Sequence, residues 1–411
     1  MQPLVITIKG DFTDSNVYSG KLYLWKIDNT VSIYSWYEII EYINKKIKER
    51  IILNHAFLDN DYLYEHGFNN ILADDEFKSL YLKKYNRVAK TLFILTEEEI
   101  SKFKTNQQDM PGGIIPHDTE IYSNNLYFCN DNGLFQSTIN TRNKYHINIR
   151  PNKLWDCNIL NLKANKYPQI ALSAGNEGLY ELSLNEISRY SENEIEPHIF
   201  KISEKYSAFA NYAFLSIVNS SLDSVPFIAL FNWEEHEKHI YGKPKYIRKY
   251  SEILSLSSTS KRKNYFSWGI DDKIYEINKG NLAIKKFNNY AKPEKNESYL
   301  TEKANIYLKE LDNEILNAGT SYFGNIIETD EYLLIFESNN NITKIDGPIV
   351  RWRAFPRSKN FQNQLHVILE ECIRIYSFNS DYFVNQSEKT HGIMKIIPPN
   401  NKTKATRSYL L

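Results

Sequence analysis

LYFCNDNGLFQS (residues 126–137), IALSAGNEGLYEL (170–182) and FSWGIDDKIYEI (266–277) share one pattern: a short apolar run, a polar turn and a second apolar run. Gly133-Leu134-Phe135-Gln136 lies on Gly178-Leu179-Tyr180-Glu181. Ser173, Gly175, Tyr180 and Glu181 lie on Ser267, Gly269, Tyr275 and Glu276 once one residue is inserted in the turn. Each run is strand-sized, and a glycine at the turn supplies the positive φ that a tight hairpin tip needs. The aromatic after Gly-Leu falls at a fixed place in the second strand, where it packs between adjacent sheets.

Outward from these three, weaker copies follow. KLYLWKIDNTVSIYSW (21–36) turns at Asp28-Asn29, YLLIFESNNNITKI (332–345) at three asparagines and LHVILEECIRIYSF (365–378) near Glu370-Glu371. A stretched copy runs from PFIALFNW (226–233) through a long polar loop to KYIRKYSEI (245–253). These hairpins count to seven. Repetition at a period of tens of residues points to a radial all-β array in which each unit covers its neighbour's apolar face. Phe135 to Tyr180 is 45 residues, Tyr246 to Tyr275 is 29 and Tyr275 to Ile345 is 70, so six or eight units are the alternatives to seven. LVITIK (4–9) alternates and precedes the first hairpin, and is expected to complete the last unit and hold the two ends of the chain together.

The hairpins resemble bacterial β-propeller repeats, in particular the divergent kind in sensor and regulator propellers, with an aromatic, a polar turn and a Gly-Leu-aromatic core. The resemblance covers the hairpins alone. Trp155-Asp156 is the one Trp-Asp pair and precedes a strand, so it does not place the chain in the tryptophan-aspartate repeat family. What the resemblance implies is an all-β β-propeller, read as seven-bladed: a closed ring of blades whose usual task is binding, with enzymes a minority.

Residues 1–36 read as the first blade and closing strand, 37–105 as a helical insertion, 106–386 as the remaining blades and 387–411 as a basic tail. In the insertion, Trp36, Ile39, Ile40, Ile43 and Ile47 follow the 3.6-residue stripe, with Glu38, Glu41, Lys45, Lys46 and Lys48 opposite. Phe77, Leu80, Tyr81 and Val88 repeat the stripe, and Thr96 with Glu99 reads as a capping box. A second helix is expected near 299–316, with Tyr307, Leu308, Leu311 and Ile315 on one side. Irregular insertions on rigid scaffolds commonly carry recognition. Trp36, Ile40, Ile43 and Ile47 are therefore the candidate partner-binding residues, set against the plain alternative that the stripe faces inward.

The chain carries 50 basic and 50 acidic residues, and zero net charge gives no global attraction to nucleic acid or membranes. Thirty tyrosines suit half-buried sheet positions. The start, MQPLVITIKGDF, has no basic region before an apolar core, and no run approaches the ~18 apolar residues of a membrane helix. Three cysteines, odd in number, suit reduced thiols, and a cytoplasmic location without membrane attachment is expected.

Phosphate loops, dinucleotide fingerprints, nucleophile elbows and zinc-protease motifs are absent from the sequence. WEEHEKHIYGK (233–243) offers His236 and His239 beside three glutamates, yet it lies in the polar loop and reads as solvated rather than metal-binding. His117-Asp118 and Asp271-Asp272 read as turn residues. No catalytic residue, metal ligand or cofactor is assigned. IVRWRAFPRSK (349–359) sets Arg351, Arg353, Arg357 and Lys359 around Trp352 and Phe355 with no acid among them, and Lys261-Arg262-Lys263 is a second basic knot. Guanidinium beside stackable rings suits an anion or single-stranded nucleic acid, against the plain reading of a solvated blade edge. The functional expectation is a non-enzymatic recognition or scaffold subunit of a larger bacterial assembly, with protein partners. A nucleic-acid-binding subunit is the first alternative, and a propeller hydrolase with dispersed acids the second.

Overall fold

The structure is a computed structural model. It describes residues 2–59, 71, 74–141, 145–184, 198–221, 224–240, 243–256, 265–288, 290–295, 297–337 and 341–379, without the side chains of 198, 232–240, 243–249, 251, 252 and 293. The basic knot at 261–263 and the tail at 387–411 lie outside the described residues.

The chain forms a seven-bladed β-propeller. After β1 (Leu4–Lys9), blade one contains β2 (Phe12–Tyr18), β3 (Lys21–Lys26) and β4 (Thr30–Ser35). The chain then leaves the blade through α1 (Trp36–Ile47), α2 (Arg50–Phe57), α3 (Asp75–Ala89), β5 (Phe93–Leu95) and α4 (Glu97–Ser101), and returns to add β6 (Lys104–Asp109) beside β4. Blade two is β7 (Asp118–Tyr122), β8 (Asn125–Asn130) and β9 (Gly133–Asn140), with β10 (His146–Ile147) and β11 (Asn152–Trp155) both against β9. Blade three is β12 (Asn161–Ala164), β13 (Gln169–Ser173), β14 (Leu179–Ser183) and β15 (His198–Ser203). Blade four is β16 (Phe209–Ala213), β17 (Ser216–Ser220), β18 (Phe227–Ile240) and β19 (Lys243–Ser255). Blade five is β20 (Tyr265–Ile270), β21 (Lys273–Asn278), β22 (Asn281–Phe287) and β23 (Leu300–Tyr307). Blade six is β24 (Ile315–Ser321), β25 (Gly324–Thr329), β26 (Tyr332–Glu337) and β27 (Ile342–Asp346). Blade seven is β28 (Ile349–Ala354), β29 (Gln364–Leu369) and β30 (Cys372–Ser377), completed by β1.

β1 closes the ring. It pairs antiparallel with β30 from Leu4↔Ser377 to Lys9↔Cys372, as the alternation of LVITIK predicts. On its other side β1 takes β5 as a parallel partner, so the insertion adds a fifth strand to blade seven.

Apolar clusters sit at the junctions between consecutive blades, because successive side chains of a strand point to opposite faces and each face meets a different neighbour. Ile326 faces blade seven while Ile327, next to it on β25, faces blade five. Strands covered on both sides read as continuous apolar runs, and β26, YLLIFE, is buried throughout.

The hairpins that predict the ring are not equivalent within it. Those of blades two and three join the second and third strands, whereas FSWGIDDKIYEI joins the first and second strands of blade five. Phe135 therefore faces the preceding blade, with Tyr180 half-buried in the same sense, and Tyr275 faces the following one, stacked on Trp268 with ring centroids 5.2 Å apart. Gly133 and Gly178 have φ of 138° and 105°, and a Cβ at either would collide with a backbone carbonyl, of Trp155 and Ser203 respectively. Gly269 has no such φ; it is small because Ala213 and Val218 press on it from blade four.

Two expected elements are corrected. The segment near 299–316 is not helical: β23 runs to Tyr307, followed by a single 3-10 turn at Lys309–Asp312 and then β24. Its Lys, Glu and Ala content favours helix, but β23 is the outermost strand of blade five, where pairing with β22 overrides propensity and little apolar surface is required. The polar loop expected after Trp233 is also absent, since β18 and β19 stay paired as far as Ile240↔Lys243, making a hairpin far longer than the others.

Candidate functional site

The first strand of each blade lies innermost, and β28, β2, β7, β12, β16, β20 and β24 contact one another in succession around a central channel; Gly319 of β24 meets Trp352 of β28 to complete the circle. Strand geometry places residues two apart on one face. Arg351 and Arg353 of β28, Asp118 and Glu120 of β7, and Asn161 and Lys163 of β12 are each such a pair.

The arginines cross from blade seven to blades one and two. Arg353 donates from Nε to Asp14 Oδ1 at 2.8 Å and from one terminal nitrogen to Asp14 Oδ2 and Asp118 Oδ1, each at 2.6 Å. Arg351 donates to Asp118 Oδ1 at 3.0 Å and to the His117 carbonyl at 2.7 Å, with Asp14 Oδ2 at 3.4 Å. Thr119 Oγ1 donates to Asp14 Oδ2 at 2.8 Å; Asp118 Oδ2 accepts from Asn161 Nδ2 at 2.7 Å and from the Leu162 amide at 2.9 Å. One level along, Arg357 pairs with Glu120 and donates to the Asn165 carbonyl of blade three at 3.3 Å.

Burial alone would raise the Asp14 pKa, but the Arg353 and Arg351 charges, with hydrogen bonds from Arg353 and Thr119, more than offset it and hold the carboxyl below its ordinary value. Burial likewise works against the Arg353 charge, and Asp118 and Asp14 overcome it, keeping the guanidinium protonated. Asp14 is thereby held as an anion with both oxygens engaged, which does not suit it to donate or shuttle a proton. Across the channel wall, Glu328 accepts from Trp352 Nε1 at 2.9 Å, and burial raises its carboxyl pKa against the opposing hydrogen bond and the Arg351 charge.

The structure thus brings Arg351, Arg353 and Arg357 together, while Lys359 is exposed in the segment between β28 and β29. Asp14, Asp118, Glu120 and Lys163 are the residues that sequence reasoning missed. Asp118, read as a turn residue, is buried in the brace, whereas Asp271 does sit in the turn between β20 and β21. A usable signal existed: Asp118-x-Glu120 repeats the strand spacing of Arg351-x-Arg353 with opposite sign. His236 and His239 lie on β18, and their side chains are outside the described residues.

Of the candidate docking residues, Trp36, Ile40 and Ile43 are buried and Ile47 is half-buried. They join β1, β2, β3 and blade seven in one cluster, so the stripe faces inward and holds the insertion to the ring. Trp36 Nε1 donates to the Phe57 carbonyl at 2.7 Å. Asn363 and Gln364, at the entry to β29, donate to the carbonyls of Ala56 and Phe57 at 3.0 and 2.8 Å, and Ser377 donates to Ala56 at 2.8 Å. Thr96 and Glu99 form the expected capping box, and Asp74 caps α3. Along α3 the expected stripe divides: Tyr81 and Val88 are buried, but Phe77 and Leu80 face solvent.

No protein-family model matches the chain, and no curated protein matches it in sequence. Among solved structures it is similar to the WD40 β-propeller domain of Doa1, at 10% identity and TM-score 0.48, covering 93% of this chain and 98% of that one. The β-propeller domain of Myceliophteria thermophila Cps50 (Swd1) gives 8% identity and TM-score 0.47 over 92% of this chain and 100% of that one. BBS1N, in a complex with ARL6DN, gives 10% and 0.44 over 91% and 94%. At these values the architecture rests on the strand pairing itself. No helix among the described residues is long and apolar enough to cross a membrane.

Proposed function

We propose that this propeller is a non-enzymatic recognition scaffold of a larger bacterial cytoplasmic assembly, and that it captures a partner protein on the outer face of its helical insertion. The observation that carries this reading is where large apolar side chains meet solvent. Of sixteen among the described residues, Tyr37, Ile51, Ile71, Phe77, Leu80, Leu92 and Ile94, seven in all, belong to the insertion. Scattered exposed apolar residues are ordinary, but a concentration on one appended element marks an interaction surface. Phe77 and Leu80 are one helical turn apart on α3, and Ile94 faces outward from β5 between buried Phe93 and Leu95. The channel arginines favour nucleic acid less than their sequence suggests, because each is paired with a carboxylate.

The test replaces Phe77, Leu80, Leu92 and Ile94 together by serine. The variant is expected to keep its circular dichroism spectrum and melting temperature while losing, by tenfold or more, the protein that co-purifies stoichiometrically with the unaltered chain. Undiminished capture by this variant, or a partner lost only when rim residues such as Ile149 and Tyr167 are changed, would reject the reading.

A further inference from the structure

Lys163 stands apart in the channel. It is only partly exposed, lies on innermost strand β12, and shares a face with Asn161, which is bonded to Asp118. The nearest anion by its electrostatic effect is Glu120, yet Glu120 is already paired with Arg357, and Asp118 is occupied by Arg351, Arg353, Asn161 and the Leu162 amide. Among the described residues the Lys163 ammonium makes neither an ion pair nor a hydrogen bond. The three anions beside it (Asp14, Asp118, Glu120) are each already paired with an arginine, and Glu328, which feels the Arg351 charge, is bonded to Trp352. A partly desolvated ammonium without a counterion is costly, and one bound anion would relieve it.

We propose that the channel binds a small oxyanion, of the carboxylate or phosphate type, on the Lys163 ammonium, with Arg357 as the adjoining guanidinium. Burial lowers the Lys163 pKa, Glu120 and more weakly Asp118 oppose this, and the charges of Arg357 and Arg353 add to the lowering. A guanidinium engaged through one nitrogen keeps further N–H donors for a second oxygen acceptor. The site is independent of the insertion's outer face, so loss of either reading leaves the other standing.

Calorimetric titration of the full chain with inorganic phosphate, and separately with acetate, at constant ionic strength held with chloride, tests the site. One saturable site is expected for phosphate or acetate or both, weakened at least tenfold by Lys163→Met and largely restored by Lys163→Arg. Lysine acetylation by acetic anhydride, read by mass spectrometry on the unaltered protein, should show phosphate protecting Lys163 selectively; this arm needs no variant to fold. Absence of both saturable heat and protection would overturn the proposal, as would equal binding by the Lys163→Met protein. An oligonucleotide that binds where phosphate and acetate do not would overturn it as well.

Discussion

At the scale of single residues, the brace of Asp14, Asp118, Arg351 and Arg353 is the most consequential arrangement in the molecule. Its carboxylates are buried and its guanidiniums partly so, a setting in which desolvation offsets much of the Coulomb attraction while loss of one partner strands the other. Asp118→Asn and Arg353→Met are each expected to cost about 3 kcal/mol. The double variant should cost at least ~1 kcal/mol less than the sum of the two. Urea denaturation of the four proteins checks this, and simple additivity would mean that Arg353 and Asp118 do not act as a pair. The brace also shows what a sequence displays and what it hides. The four cations of IVRWRAFPRSK are visible as a cluster because they are contiguous, whereas their anions are 230 or more positions away in β2 and β7. Nothing local in FTDSNVY marks Asp14 as the partner of Arg353.

At the scale of elements, α1 is a helix whose apolar stripe was legible and whose direction was not. Periodicity says that Trp36, Ile39, Ile40 and Ile43 share a face; it does not say whether that face meets the chain itself or another molecule. The answer lies in tertiary partners, the carbonyls of Ala56 and Phe57 bonded from blade seven and the Tyr85 hydroxyl donating to the Gln2 carbonyl at 3.2 Å. The insertion leaves from blade one and packs on blade seven, so it spans the junction where the ring closes. Trp36→Ala is therefore expected to destabilise the whole ring by about 4 kcal/mol, rather than to loosen the insertion alone. A single cooperative transition followed by near-ultraviolet dichroism and by tryptophan fluorescence would agree; an early separate transition confined to the insertion would not. The hairpin count shows the same limit. Each blade contributed one recognisable hairpin, drawn from its first, middle or last strand pair, which is why the total was right while the spacings of 45, 29 and 70 residues were uneven.

At the scale of the whole molecule, buried ionisable groups make the ring sensitive to acid. Burial depresses the His366 pKa to about 3 and that of His55 to about 4, and Asp14 lies below its ordinary value. For all three the unfolded chain binds protons more readily than the folded one, so stability is lost as pH falls. The histidines act first, from about pH 6.5 downward, and Asp14 below about 3.8. Between pH 7 and 5 each histidine is expected to remove about 2 kcal/mol. Denaturation midpoints at pH 7, 6 and 5 measure this, together with imidazole resonances that fail to titrate in the folded protein; a midpoint flat across that range would contradict it. Ring closure carries a further consequence, in time rather than in energy. β1 emerges from the ribosome more than 360 residues before β30, its antiparallel partner, and an apolar strand left that long with open edges invites pairing with other chains. β5 and α3 emerge within the first hundred residues and lie against β1. The insertion thus gives the longest-waiting strand of the propeller an early companion within its own chain, holding open only the edge that β30 will later occupy.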